Sequence, residues 1–565
     1  MVAAEAEAEG VGDVNTIADV VRARAGDKRV GLRFEDDSWT YAELVDACAQ
    51  RAAFLLAHKP VDAPFHVGVL LDNVPEFWMM LGAAALSGAT LVGINPTRRG
   101  AELARDLKHT DCALLVTESG HLELLAGVTD AVPRDSVFVI GTPEWDAALA
   151  PHAGAALPEV EVGPADVFML IFTSGTTGAP KAVRISHGKL TGWGTNLAGR
   201  FPLTPDDVCY SSMPLFHSNA AVAGYTAPMA AGAVTVLRRK FSASGFLPDV
   251  RKYGVTFFNY VGKPLTYILE TPPLPDDADS TVRIGFGNEA APLDVDRFAT
   301  RFGCYISDGY GSTEGGINMS KTDDTPPGSL GIPVPGFRAA IYDSDTGEEC
   351  PRAKFDEHGR LLNAEDAIGE IVNPDGAGSF EGYYNNPEAN AERMRGGMYW
   401  TGDLGYRDEA GFFYFAGRNS DWLRVDGENI AAAPVEQVIA RYPNMVIAAV
   451  YAVPSPEVGD EVMAALHLHE GTAFDADDFI AFLAAQPDLS PKWMPRFIRI
   501  SHGLPSTATQ KVLKRVLQRE RWECDDDVWW RPGREPEYRR LEASGVEALR
   551  ARFVERDREH LLGRG

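Results

Sequence analysis

Basic residues are in short supply: 53 lysines and arginines stand against 80 aspartates and glutamates, leaving a net charge of -27. A surface so acidic repels nucleic acid and anionic lipid, which excludes recognition of either through a broad positive field. A polyanionic ligand must instead be gripped by local donors and a metal ion. Cysteine is also scarce, and the six residues (Cys48, Cys112, Cys209, Cys304, Cys350, Cys524) form no Cys-x-x-Cys pair. That scatter argues against a disulfide framework and fits reduced thiols in a cytoplasmic protein. The start alternates alanine with glutamate and has no basic n-region, so no secretory signal is visible. Long hydrophobic runs are few. The stretch 77–94 carries no charge over 18 residues, just enough to raise a membrane span. Its alanines and glycines predict instead a buried helix ending near Gly88, then a strand from Thr90.

With 565 residues, two or three domains are expected, and the apolar content suffices for a real core. A hairpin at 30–40 precedes a helix whose Thr40 and Glu43 are spaced as a capping box. Apolar strand-like runs at 66–71, 112–116, 137–140 and 167–172 then alternate with helical patterns. Such alternation predicts an α/β fold with parallel sheets covered on both faces. From 326 to about 418, glycine, proline and acidic turns between short strands predict a β-rich subdomain. A boundary is expected after Arg418, giving a large domain over 1–418 and a small α+β domain over 419–565. Strands are expected at 446–451 and 463–468, and a helix at 475–485. The tail from Trp522 mixes charge with tryptophan and ends in an Arg/Glu-rich helix.

The most informative segment is Ile-Phe-Thr-Ser-Gly-Thr-Thr-Gly-Ala-Pro-Lys at 171–181, directly after an apolar run. Its glycines let backbone N–H groups approach a phosphate, its hydroxyls add donors, and Lys181 supplies a point charge. It is not a Walker A loop: Gly175 and Gly178 are too close, and no Gly-Lys-Ser/Thr follows. Taken alone, a polar surface turn is its alternative reading. A second segment, Ser-Asp-Gly-Tyr-Gly-Ser-Thr-Glu at 307–314, offers an aromatic face for a purine, and Asp308 can accept from an amino group. In the same segment Thr313 can donate to a phosphate, and Glu314 is a hard oxygen ligand for Mg²⁺. The third is Tyr-Trp-Thr-Gly-Asp at 399–403 with Gly-Arg at 417–418, where Asp403 and Arg418 can clamp ribose hydroxyls. The fourth is Pro-Ser-Thr-Ala-Thr-Gln-Lys at 505–511.

Each fragment alone is an ordinary turn. In this order they resemble the adenylate-forming superfamily of acyl-CoA synthetases, adenylation domains and luciferases, from about Thr40 to Gln518. Finer features look like the long-chain and very-long-chain fatty acyl-CoA synthetases of the fatty-acid-transport-protein type and its bacterial relatives. These include Asn-Pro-Thr-Arg-Arg-Gly at 95–100, Tyr-Val-Gly-Lys-Pro-Leu at 260–265, Gly287 with Asn288, and Arg-Val-Asp-Gly-Glu-Asn at 424–429.

The resemblance implies an ATP-dependent, AMP-forming fatty acyl-CoA synthetase using ATP, Mg²⁺ and coenzyme A. It implies that Thr173, Ser174, Gly175, Thr176, Thr177, Gly178 and Lys181 hold the β- and γ-phosphates. Tyr310 packs the adenine, and Asn288, Asp308, Gly309, Gly311 and Ser312 are cofactor-binding with it. Glu314 takes the metal, Thr313 a phosphate, and Asp403 with Arg418 the ribose. Lys511 bridges carboxylate and α-phosphate. His217, in Leu-Phe-His at 215–217, lies beside the carboxylate; a satisfied core histidine is the alternative. Rotation of the small domain brings the loop around Gly427 to the active site for the thiol step.

Ser420 departs from the acid or lysine usual at the hinge, although Asp421 follows at once; Gln510 and Ala182 each replace a common glycine. The small residues of 218–232 read either as the lining of an alkyl tunnel or as a close-packed helix interface. Arg238, in the densest basic cluster, is expected to meet the phosphates of coenzyme A, with a solvated strand end as the alternative. The rival readings are a same-fold ligase for another acid or a carrier protein, and a non-catalytic acyl-binding or uptake protein. A monomer or homodimer is expected, with peripheral membrane contact left open.

Overall fold

The computed structural model describes residues 14–562 apart from 127, 129–130, 174–180, 358–360, 419–421, 426–427, 458, 491–492, 508–509 and 534–536. Contact density divides the chain into two units, and the chain passes between them more than once. The first holds residues up to 308 with 312–315 and 379–392; the second holds 309–311, 316–378 and 393 onward.

The first unit contains two largely parallel sheets. One runs in the order Val137–Ile140, Leu114–Glu118, His66–Leu70, Thr90–Gly93, Val167–Thr173, all parallel, with Lys181–Ser186 added antiparallel. In the other, Ile284–Asn288, Phe257–Val261, Val208–Ser211, Val234–Leu237 and Val30–Phe34 are parallel neighbours, and Asp37–Thr40 closes the edge antiparallel. Strands such as His66–Leu70 and Phe257–Val261 are buried at every residue, as strands covered on both faces must be.

The helix Tyr41–Ala57 begins with the expected capping box, Thr40 and Glu43 each satisfying the other's backbone N–H. The uncharged stretch resolves into the 13-residue buried helix Pro75–Ser87, stopped by Gly88 at φ 69°, and the strand Thr90–Gly93. Among the described residues no helix is long and apolar enough to cross a membrane. Residues 218–232 are close-packed: Ala220–Thr226 forms a buried π-helix, and Gly224 and Gly194 leave no room for a Cβ against Ser211 and Thr226.

The second unit begins with antiparallel strands in the β-rich region expected there: Ala340–Tyr342, Gly369–Asn373, Met398–Arg407 and Phe413–Arg418. The expected boundary after Arg418 falls at a strand end, and the hinge candidates Ser420 and Asp421 lie outside the described residues. Further on, Met445–Pro454, Asp460–Leu468, Phe497–Ile500, Asp527–Trp530 and Arg539–Arg540 form a five-stranded sheet. Its faces alternate with period two. Val450, Val462, Leu466 and Ile498 meet Phe479 and Leu483 of the helix Ala476–Ala484. Tyr451, Met463 and Phe497 meet Leu517 of the helix Lys514–Glu520 and Trp522, Leu549 and Phe553 from the tail. The tail tryptophans therefore serve the core: Trp522 and Trp530 stack on Phe497, and Trp529 lies against Phe474.

Candidate active site

In the first unit, Thr313 and Glu314 occupy a turn just after the strand Tyr305–Gly311, and both are buried. The turn closes by a hydrogen bond from Gly315 N–H to the Ser312 carbonyl, with Gly315 at φ 73°. Glu314 Oε1 accepts from the Tyr383 hydroxyl at 2.9 Å and from Thr173 Oγ1 at 3.3 Å. Thr313 Oγ1 lies 2.9 Å from Ser218 Oγ, which brings the segment containing His217 to the same turn. His217 is half-buried, and its Nδ1 accepts from Asn219 N–H at 3.4 Å. Lys181 begins the strand paired with Thr173; it is 4% exposed, bonded to Glu392 at 3.1 Å and set 5.7 Å from the Tyr383 ring.

The fold thus joins Thr173, Lys181, Thr313 and Glu314, drawn from segments over 130 residues apart. A buried carboxylate among the hydroxyls of Thr173, Thr313 and Ser218 is an oxygen set that suits Mg²⁺. Ser174 through Gly178 lie outside the described residues.

Asp308 is held close by: its Oδ1 accepts from the Tyr260 hydroxyl at 2.8 Å and from Ala290 N–H at 3.1 Å. It thereby fixes the turn after Asn288, whose own carbonyl accepts from Gly262 N–H. Gly287 must be glycine here, because a Cβ would fall 2.3 Å from the Tyr260 carbonyl oxygen.

Arg238 is engaged by the Asp249 carboxylate at 3.1 Å, and the buried Asp249 also receives the Tyr210 hydroxyl. Arg239 pairs with Glu118 at 2.9 Å and Asp72 at 3.4 Å. Asp72, Glu118 and His121 have the spacing of a metal triad, yet Arg239 already supplies their positive charge. Hydrogen bonds to Asp72 and Glu118 lift His121 to about 9, adding a second cation to the cluster.

In the second unit, Tyr310 and Gly311 pair antiparallel with Met319 and Asn318. The Tyr310 hydroxyl donates to Asp403 Oδ2 at 2.8 Å, so the residues expected at the adenine and at the ribose meet. Burial and the Asp403 charge raise the Tyr310 phenol well above its ordinary value, so it remains a donor. Gly309 leaves room for at most a tight Cβ, 3.2 Å from the Met319 carbonyl oxygen. Asp403 and Arg418 are directly opposed on neighbouring antiparallel strands.

Lys511 sits in a loop that folds back on itself: Thr507 N–H donates to its carbonyl, and its own N–H to Thr507 Oγ1. Gln510 adopts φ 62°, a left-handed conformation that explains why glycine is the easier residue there. Gly427 lies outside the described residues.

Sequence reading missed Tyr383, Ser218, Glu392 and Lys189. Lys189, in the helix His187–Arg200, is buried and donates from Nζ to the Glu314 carbonyl at 3.0 Å. Burial lowers it to about 8, against the opposing pull of Glu381 and Glu314. The one available signal was the Gly-Tyr-Tyr step at 382–384, with two large aromatics in a turn-rich segment.

The family described as AMP-binding enzyme matches residues 19–384, and its C-terminal domain matches 434–511. The chain is 48% identical over 549 residues to steroid-22-oyl-CoA synthetase of Rhodococcus jostii (strain RHA1), covering 97% of this chain and 99% of that protein. It is 51% identical over 500 residues to medium/long-chain-fatty-acid–CoA ligase FadD17 of Mycobacterium tuberculosis (strain ATCC 25618 / H37Rv), covering 88% and 95%. Among solved structures, ATP-bound MatB from Rhodopseudomonas palustris matches with a TM-score of 0.78 at 24% identity, covering 91% of this chain and 99% of that one.

Proposed function

Because the chain belongs to the AMP-binding enzyme family, and is an AMP-forming acid–coenzyme A ligase that uses ATP, Mg²⁺ and coenzyme A, we propose that its acid is a fatty acid, long chains favoured. The observation that carries this is the 51% identity to a medium/long-chain fatty acid ligase over most of both chains. A second reading has its own support. The likeness to a steroid-22-oyl-CoA synthetase, at 48%, spans almost the whole chain and makes a steroid side-chain acid the competing substrate.

The chemistry brings a carboxylate to a triphosphate that repels it, so positioning and charge neutralisation dominate. When bound, Mg²⁺ supplies Lewis-acid stabilisation of phosphate charge, with Glu314 as its ligand. Thr173 through Gly178 and Lys181 cradle the β- and γ-phosphates; Lys181 is released from Glu392 or shared with it. Thr313 donates to phosphate. Tyr310 packs the adenine and orients Asp403, which with Arg418 takes the ribose hydroxyls. Asp308 and Asn288 order the adenine-side turn, with Gly309, Gly311 and Ser312 giving it a narrow backbone. His217 lies beside the carboxylate.

Lys511 spans carboxylate and α-phosphate as pyrophosphate leaves. The small domain, 419–565, then rotates about 418–421 and presents the loop of Gly427 while the thiol of coenzyme A opens the mixed anhydride. Arg238 meets the phosphates of coenzyme A while still holding Asp249. If R238Q leaves the coenzyme A KM unchanged, that role is lost. Peripheral contact with a membrane would serve an insoluble acid, and vesicle flotation tests it.

The deciding experiment incubates the pure protein with Mg-ATP and a series of saturated acids beside a steroid side-chain acid, with and without coenzyme A. Acyl-AMP without the thiol and acyl-CoA with it, best for long chains, is the expected result. Preferential turnover of the steroid acid would replace the fatty-acid reading.

A further inference from the structure

Lys189 is an expensive residue in an unexpected place. It is 9% exposed, and among the described residues no carboxylate lies within ion-pair distance of its Nζ. Burying an ammonium is costly unless something specific compensates it. Two things do: the Glu314 carbonyl accepts a hydrogen bond from Nζ at 3.0 Å, and the Trp193 ring lies 4.8 Å away as a cation–π partner. Trp193 also presses on the turn itself, since a Cβ on Gly315 would come within 2.7 Å of its ring.

The turn carbonyls are accounted for in an uneven way. That of Ser312 is met by Gly315 N–H, and that of Gly315 by Ser379 N–H. The carbonyl of Glu314, between them, is met by a side chain from a distant helix. Glu381, whose charge favours the Lys189 ammonium, accepts from the N–H and hydroxyl of Ser186, the cap of that helix.

We infer that Lys189, backed by Trp193, is a positioning residue that pins the backbone of Glu314 and so aims its carboxylate at the metal. This rests on the assignment of Glu314 as the Mg²⁺ ligand. Lys189 does not touch substrate; it acts through the turn, and its loss leaves the carboxylate chemically intact but loosely aimed.

The test begins with ligand-free protein. In Lys189→Met, amide hydrogen exchange at 314–316 should quicken about tenfold, and the calorimetric Kd for Mg-ATP should rise about tenfold, the range seen when a residue orienting a ligand is lost. Lys189→Gln, which keeps a donor, should recover at least half of each change on a logarithmic scale. Unchanged exchange, or unchanged Kd, in a folded Lys189→Met overturns the inference. Should that variant fail to fold, Trp193→Phe replaces it, with a smaller rise in both readouts expected and absence of either rise overturning it. Glu314→Gln separates the two claims. If it leaves the Mg²⁺ dependence of ATP binding unchanged, the metal assignment fails, while the exchange data still decide whether Lys189 pins the turn.

Discussion

The turn at 312–315 and the loop around Lys511 each present one residue used in the proposed adenylation, and they are built in opposite ways. Glu314 is buried and braced by side chains from several distant segments: Thr173, Lys189 and Tyr383. Lys511 is half-buried on a loop closed by local bonds, Thr507 to Lys511 and Leu513 to Pro505, with Gln510 strained at φ 62°. A metal ligand gains from rigidity, because misplacing it forfeits orientation already arranged by the fold. In the proposed mechanism Lys511 serves one of two steps, and the bonds at its backbone are local.

The sharpest way to break this contrast is Lys511→Ala. Acyl-adenylate formation should fall about 10²- to 10³-fold, the scale of losing one donor aimed at developing charge. Thioester formation from supplied acyl-AMP should stay within a few-fold; equal loss of both steps would mean that the lysine does not belong to the first alone.

Next, Glu314→Gln should lower kcat/KM for Mg-ATP by about 10²-fold, since a metal ligand should cost at least what its orienting partners do. Pyrophosphate release followed across a magnesium titration measures this. Tyr383→Phe removes one bond to the same carboxylate and should cost about tenfold in that assay, with the acid KM unaffected. An acid KM that moved as much as the magnesium dependence would show that Tyr383 serves the acid rather than the metal.

The smallest effect is expected from Gln510→Gly. Relief of the left-handed backbone should stabilise the loop by about 1 kcal/mol, less the entropy glycine loses on folding. Urea unfolding of the full chain reads it, and destabilisation would mean that the Gln510 side chain makes a contact worth more than the strain.

Much of the fold was legible because its signals are local. Buried parallel strands announce themselves as unbroken apolar runs, and the Thr40–Glu43 box needs only four residues to be recognised. Glu314 and Thr313 stood out because their types suit metal and phosphate. Lys189 and Tyr383 did not, because their meaning lies in a contact 125 and 69 residues away in sequence. Lys189 reads as one more lysine on a helix face, and Tyr383 as part of a surface turn. Arg238 shows the opposite problem. Its cluster stands out by charge alone, and only the fold reveals Asp249 on the following helix as its partner. For 218–232 the sequence offers only small residues, and the tight contact of Gly224 with Ser211 is legible only in the fold.

The interleaving of the two units also sets a timetable for synthesis. The first unit is incomplete until 379–392 has been made, since Tyr383 closes on Glu314 and Glu392 on Lys181. The last sheet of the second unit waits longer still, for Asp527–Trp530 and Arg539–Arg540 near the end of the chain. A ribosome adding roughly 5–20 residues per second leaves the half-built first unit waiting for several seconds between Glu314 and Tyr383. During that interval the hydroxyl that will meet the buried carboxylate does not yet exist, and nascent chains paused there should be the ones that need chaperones.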